Sequence, residues 1–124
     1  MCPSVPKIPK AAEFKCLTRN VYYEARGEPL EGQIAVAKVT INRLKTHAPT
    51  LCRVVYQPHQ FSWTDRPITK AIDRTAWYHA ENASIIAYNM NGFEATHYHN
   101  FSVHPNWGYE KVAVIGKHIF YQQK

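Results

Sequence analysis

Glu24 ends an apolar-striped helical stretch that stops at Gly27, in the run Tyr22-Tyr23-Glu24-Ala25-Arg26-Gly27-Glu28-Pro29. A carboxyl set between aromatic residues near a helix end can be partly withdrawn from water. Burial disfavours the charged form and raises the pKa. A carboxylic acid that keeps its proton near neutral pH is what general-acid cleavage of a glycosidic bond requires. The same residue would do no chemistry as a solvated carboxylate in an exposed last turn, or as the ion-pair partner of Arg26. Spacing alone leaves these readings open.

Hydrolysis of a glycosidic bond uses a second carboxylate, and three are candidates: Glu28, Glu31 and Asp65. Glu28 and Glu31 also suit a helix start, where acidic side chains are favoured electrostatically. Asp65 follows Gln60, Ser62, Trp63 and Thr64, and aromatic, amide and hydroxyl groups together suit the apolar faces and hydroxyl edges of sugars. Phe61 reads as core, while Trp63 serves equally as a core anchor or a groove wall. Tyr98 and Asn100 alternate with Thr96 on one face of a strand, leaving His97 and His99 on the other. With His104 or His118, that histidine pair could hold zinc in an amidase or peptidase. No helical His-Glu-x-x-His arrangement accompanies it, and Glu24 would then have no role.

The elements that must position these residues follow from periodicity. Phe14, Leu17, Val21 and Ala25 make one stripe and predict a helix over Ala11–Arg26, closed by Gly27 and Pro29. A second, apolar and central helix is predicted over Glu31–Lys45, striped by Ile34, Ala37, Ile41 and Leu44. A short helical turn at Leu51–Tyr56 and a long aromatic connection at Gln57–Pro67 follow. Asp65-Arg66-Pro67 should pass quickly into a third helix, Thr69–Asn91. Ile72, Ala76, Ala80, Ala83, Ala87 and Met90 give it a narrow small-residue stripe that packs closely on the second helix. Thr96–Val103 and Val112–Tyr121 are β-like, with a turn at Pro105–Gly108 and a bend or bulge at Gly116. The fold class is α+β: a helical body with a small antiparallel sheet near the C-terminus. Residues 1–10 read as a proline-rich leader and 11–124 as a single domain.

The length, 124 residues, suffices for a core without staples. No apolar run is long enough for a transmembrane helix, and the first ten residues lack the apolar segment of a signal peptide. Synthesis in the cytoplasm is therefore expected. Cys2, Cys16 and Cys52 are odd in number and match no metal or redox spacing. They read as reduced thiols, Cys16 in the core, with a Cys16–Cys52 bridge as the alternative. A net charge of +6 favours polyanions. No helix-turn-helix, zinc-finger or RNA-binding signature points to a specific nucleic acid, so acidic envelope polymers are the expected attraction. A binding-only module for glycan or nucleic acid is a third class of reading.

The segment Asn20–Lys45 resembles the signature of the SleB-type cell-wall hydrolases, the spore cortex-lytic enzyme family: an aromatic residue, then Glu-Ala-Arg-Gly-Glu, Gly-Gln, and an apolar helix ending in Asn-Arg. Val54–Thr64 resembles the second block of that family. Tyr98-His99-Asn100, Pro105-x-Trp107 and Ile115–Tyr121 resemble the third. The resemblance spans nearly the whole chain, and the body-plus-sheet outline is that of lysozyme-like and transglycosylase-like enzymes. It implies cleavage between N-acetylmuramic acid and N-acetylglucosamine in peptidoglycan glycan strands, with Glu24 as catalytic acid. It favours a lytic transglycosylase that forms 1,6-anhydromuramic acid with no cofactor and no metal; a hydrolytic muramidase on the same bond is the alternative. No segment resembling a cortex-targeting domain precedes the match. The expectation is thus a monomeric bacteriophage endolysin or virion-associated lysin that acts on the wall once the membrane is opened.

Overall fold

A computed structural model describes residues 5–57, 60–68 and 70–123, apart from the Lys45 and Ser62 side chains. Helix α1 (Ala11–Ala25) ends where the sequence places it. Arg26 leaves helical geometry and Gly27 takes the left-handed φ of +88° that favours glycine. Helix α2 (Leu30–Asn42) follows after one short turn and tightens into a 3-10 turn, Arg43–Lys45. Its buried residues surround most of its circumference, including Ala35, Val36, Val39 and Thr40, so it is the central helix. A short helix, α3 (Leu51–Val55), is capped by the Thr50 hydroxyl, which accepts from the Arg53 N–H. The aromatic connection then contains a second 3-10 turn, Ser62–Asp65.

Helix α4 (Arg74–Asn89) starts later than periodicity predicts. The Asp73 carboxylate accepts from the Ala76 N–H, and the Asp73 N–H donates to the Tyr22 hydroxyl, so the cap is fixed at Asp73. Residues before it run outside the helix, and Ile72 is 42% exposed rather than part of the stripe. Thr69 lies outside the described residues. The remaining stripe holds: Ala80, Ala83 and Ala87 are buried and let α4 lie against α2 and α1.

The sheet has strand order β1-β3-β2, all antiparallel, with β1 at His97–Asn100, β2 at Glu110–Ile115 and β3 at His118–Gln122. The expected single bent strand Val112–Tyr121 is instead a hairpin. Gly116, at φ +57°, reverses the chain so that Ile115 pairs with His118. Phe120 from β3 enters the core beside Leu17, Val21, Val36 and Ala83.

Cys16 and Cys52 form a disulfide that clips α1 to α3, rather than standing as reduced thiols, and Cys16 is only partly buried. Cys2 lies outside the described residues. The leader touches α4 at Lys7: the Lys7 N–H donates to Asn89 Oδ1 at 2.8 Å and Asn89 Nδ2 donates to the Lys7 carbonyl at 2.7 Å. Among the described residues no helix is long and apolar enough to cross a membrane.

Candidate active site

Glu24 sits one residue before the end of α1 and faces a cleft of about 460 Å3 between the helical body and the sheet. The cleft brings Glu24 together with Gln60, Asp65, Tyr98 and Asn100. Arg43, Phe61, His99 and His118 complete it. The Glu24 carboxyl is pushed up from 4.5 to about 7. Burial is the main cause, opposed first by the Arg43 charge and then by the Tyr98 hydroxyl. The pairing with Arg26 does not occur: Arg26 bonds Asp73 at 2.9 Å and the Tyr22 hydroxyl at 2.6 Å, both away from Glu24.

Arg43 is the residue sequence reasoning missed. It is only 5% exposed, yet it carries a charge beside Glu24. Its Nε donates to the Thr96 carbonyl at 2.7 Å, Nη1 reaches Gln60 Oε1 at 3.3 Å, and the guanidinium lies over the Phe61 ring. Its neighbour Asn42 donates to the carbonyls of Phe93 and Ala95. The end of α2 therefore holds the segment leading into β1, and through it Tyr98. The Tyr98 hydroxyl is buried and approaches Glu24, yet completes no well-shaped hydrogen bond among the described residues. Burial and the Glu24 carboxyl hold it protonated, so it is a donor aimed into the cleft.

The candidate second carboxylates separate. Asp65 lines the same cleft. Glu28 does not: its side chain is 10% exposed, Oε1 accepts from the Lys117 N–H at 2.9 Å, and His118 Nδ1 lies 3.1 Å away. Glu28 thus ties the β2–β3 hairpin to the turn after α1. Glu31 lies elsewhere, exposed on the first turn of α2 beside a different hollow with Met90 and Ile115.

The second sequence block also divides. Trp63 stands in an adjoining groove, stacked on Tyr23 with ring centres 4.8 Å apart, and its Nε1–H donates to buried Asn20 at 2.7 Å. Thr64 donates to the Phe61 carbonyl and shapes the turn. The Ser62 side chain lies outside the described residues. Of the histidines in the zinc reading, His99 and His118 line the cleft, but His97 and His104 do not. His97 bonds Thr96 and packs on Tyr109, and burial, then Arg43 and His47, depress its pKa to about 4. His99, expected with His97 on the far face, instead reaches the cleft beside Tyr98 and Asn100. Its Nδ1 lies 2.9 Å from the Asn100 carbonyl, which can only accept, so Nδ1 donates; Nε2 lies 2.9 Å from the Tyr121 hydroxyl. His104 is exposed in the β1–β2 connection. Among the described residues no three His, Cys, Asp or Glu side chains gather as a metal set would.

The sequence profile of the cell wall hydrolase family matches residues 27–121. The chain belongs to that family. The chain is 30% identical to a spore cortex-lytic enzyme of Oceanobacillus iheyensis and 35% identical to that of Bacillus subtilis, over 94% and 87% of its length. It spans 44% and 37% of those relatives, less than half their length. It also superposes on the catalytic domain of the germination-specific lytic transglycosylase SleB from Bacillus anthracis, with a TM-score of 0.73 and 28% identity. That match covers 95% of this chain and all of the other. The catalytic domain of Bacillus cereus SleB gives a TM-score of 0.70 at 28% identity, over 98% of this chain and all of that one. The profile match begins three residues after Glu24, so the case for Glu24 rests on the cleft itself.

Proposed function

We propose that this protein cleaves the glycan strands of peptidoglycan as a lytic transglycosylase, with Glu24 as acid and then base. The observation that carries the reading is a single buried carboxyl, held near pKa 7 in an open cleft. Protonated Glu24 gives its proton to the oxygen linking muramic acid C1 to N-acetylglucosamine. The C1–O bond breaks and the glucosamine side leaves as an alcohol, with positive charge developing on the muramic ring. Glu24, now a carboxylate favoured by Arg43 and Tyr98, takes the proton of the muramic C6 hydroxyl. O6 closes onto C1, forming the 1,6-anhydro ring and regenerating the acid without consuming water. Tyr98 and the amides of Gln60 and Asn100 supply hydrogen bonds to the sugar.

A hydrolytic muramidase is the second reading, because Asp65 shares the cleft and could activate water. Mass spectrometry of digested peptidoglycan separates the two. Anhydromuramic ends support transglycosylation; reducible muramic ends would replace it with hydrolysis through Asp65.

The same proposal extends to use in host-cell lysis, as a monomeric bacteriophage endolysin or virion-associated lysin with antibacterial action from without. The charge of +6 supports attraction to acidic envelope polymers. Loss of turbidity of permeabilised bacteria on adding the protein tests this; no lysis at any salt concentration would refute it.

A further inference from the structure

Beside the cleft lies a second groove, of about 400 Å3, with a different chemistry. Its wall is the stacked pair Tyr23 and Trp63, and its rim carries three cations, Arg26, Arg66 and Lys70. Arg26 is paired with Asp73. Arg66 and Lys70 are exposed, and no ion pair engages either among the described residues. The groove and the cleft share no lining residue, but the chain links them at two points. Tyr23 immediately precedes Glu24 on α1, and the Ser62–Asp65 turn sends Trp63 into the groove while Asp65 lines the cleft.

A neutral sugar needs hydroxyl and amide partners, which the cleft offers, and has no use for cations. A peptide bearing carboxylates does, and its aliphatic stretches can rest on aromatic faces. In peptidoglycan such a peptide hangs from the muramic residue, the very sugar whose C1 would lie at Glu24. Resting on the function proposed above, we infer that the Tyr23–Trp63 groove with Arg66 and Lys70 receives the acidic peptide stem of the muramic residue. The substrate class is then the peptide-bearing glycan strand in preference to the bare one.

The test is equilibrium binding by the full chain carrying Glu24→Gln, so that the ligand is not consumed. The probes are soluble glycan fragments of one length, with stems intact, or with stems removed by an amidase and the lactyl carboxylate so freed converted to its simple amide. The intact fragment should bind on the order of tenfold tighter, in keeping with two exposed charge pairs. Adding Arg66→Gln and Lys70→Gln should collapse that ratio toward unity. Equal affinity for the two fragments, a ratio that survives the double substitution, or no binding of the intact fragment would each overturn the inference. So would displacement of the intact fragment by inorganic polyphosphate at comparable affinity, which would make the groove a general polyanion site. Anhydro ends released from stripped strands by the unsubstituted protein report on the parent reading separately.

Discussion

Replacing Glu24 with glutamine removes the titrating proton while keeping nearly the same shape. Its effect on stability can be worked from the site. The folded carboxyl sits at about 7 against an ordinary 4.5. A raised pKa means that the folded protein favours the protonated form. The associated stability is fully present below 4.5 and is lost as pH rises toward and through 7. The rise corresponds to about 3 kcal/mol at full effect, and partial contact of the side chain with water reduces what is measured. Glu24→Gln has no such loss. Urea titrations should find the variant and the parent similar near pH 4, and the variant more stable by ~2 kcal/mol at pH 8.5. Activity should run the other way. The variant should be inactive at every pH, and the parent's kcat/KM should fall about tenfold per pH unit above 7, as the acid form disappears. A variant no more stable at pH 8.5 would refute the buried-acid account. A flat activity profile to pH 9, or an active variant, would remove Glu24 from the mechanism.

Three other perturbations follow from the same contacts. Tyr98→Phe deletes a buried hydroxyl that lacks a good partner in the free protein. It should leave stability unchanged or higher while lowering kcat roughly tenfold to a hundredfold, a split readable from urea melts beside kinetics. Gly116→Ala would place a Cβ 2.7 Å from Glu28 Oε2 at a left-handed φ, whereas Gly27→Ala shares the φ cost but meets nothing within 4 Å. Gly116→Ala should therefore show the lower melting temperature of the two. Reducing Cys16–Cys52 opens a loop of sequence separation 36, so thiol treatment should cost up to about 4 kcal/mol on the chain-entropy model. An unchanged urea midpoint in reductant would mean that the clip contributes little.

The parts of the fold readable from sequence are those set by local rules. Gly27 and Pro29 end α1 by backbone geometry alone, which is why Glu24 could be placed at a helix end. The alanine stripe of α4 was equally legible, but its start was not. Asp73 carries an ordinary cap signal that helical periodicity obscured, and its strength comes from Tyr22 on α1 and from Arg26 just beyond that helix. The hairpin at Gly116 has only a glycine inside one β-like run as its local signature, which a bend or a bulge shares. Arg43 had none. It follows the last residue of α2, and only the crossing of α2 with the segment before β1 turns it toward Glu24. The bridge between Cys16 and Cys52 was likewise a matter of tertiary proximity that spacing does not encode.

The same non-local residues decide why Glu24 could serve twice. Burial alone would push a carboxyl far enough up that it would give its proton reluctantly and recover it too strongly. Arg43 and Tyr98 oppose burial and bring Glu24 back to about 7, where neither protonation state is strongly disfavoured. An acid that must become a base within one turnover needs that balance, and an inverting site, whose second carboxylate is the dedicated base, does not. Arg43 itself is fixed by the Thr96 carbonyl and by Phe61, independently of Glu24, so its charge stays in place whichever state Glu24 holds. Replacing Arg43 with methionine, which fills similar space without charge, should therefore shift the activity profile toward higher pH while depressing its maximum. The acid would persist longer and the carboxylate would form less readily. A profile displaced toward lower pH would show that Arg43 acts on Glu24 through structure rather than through charge.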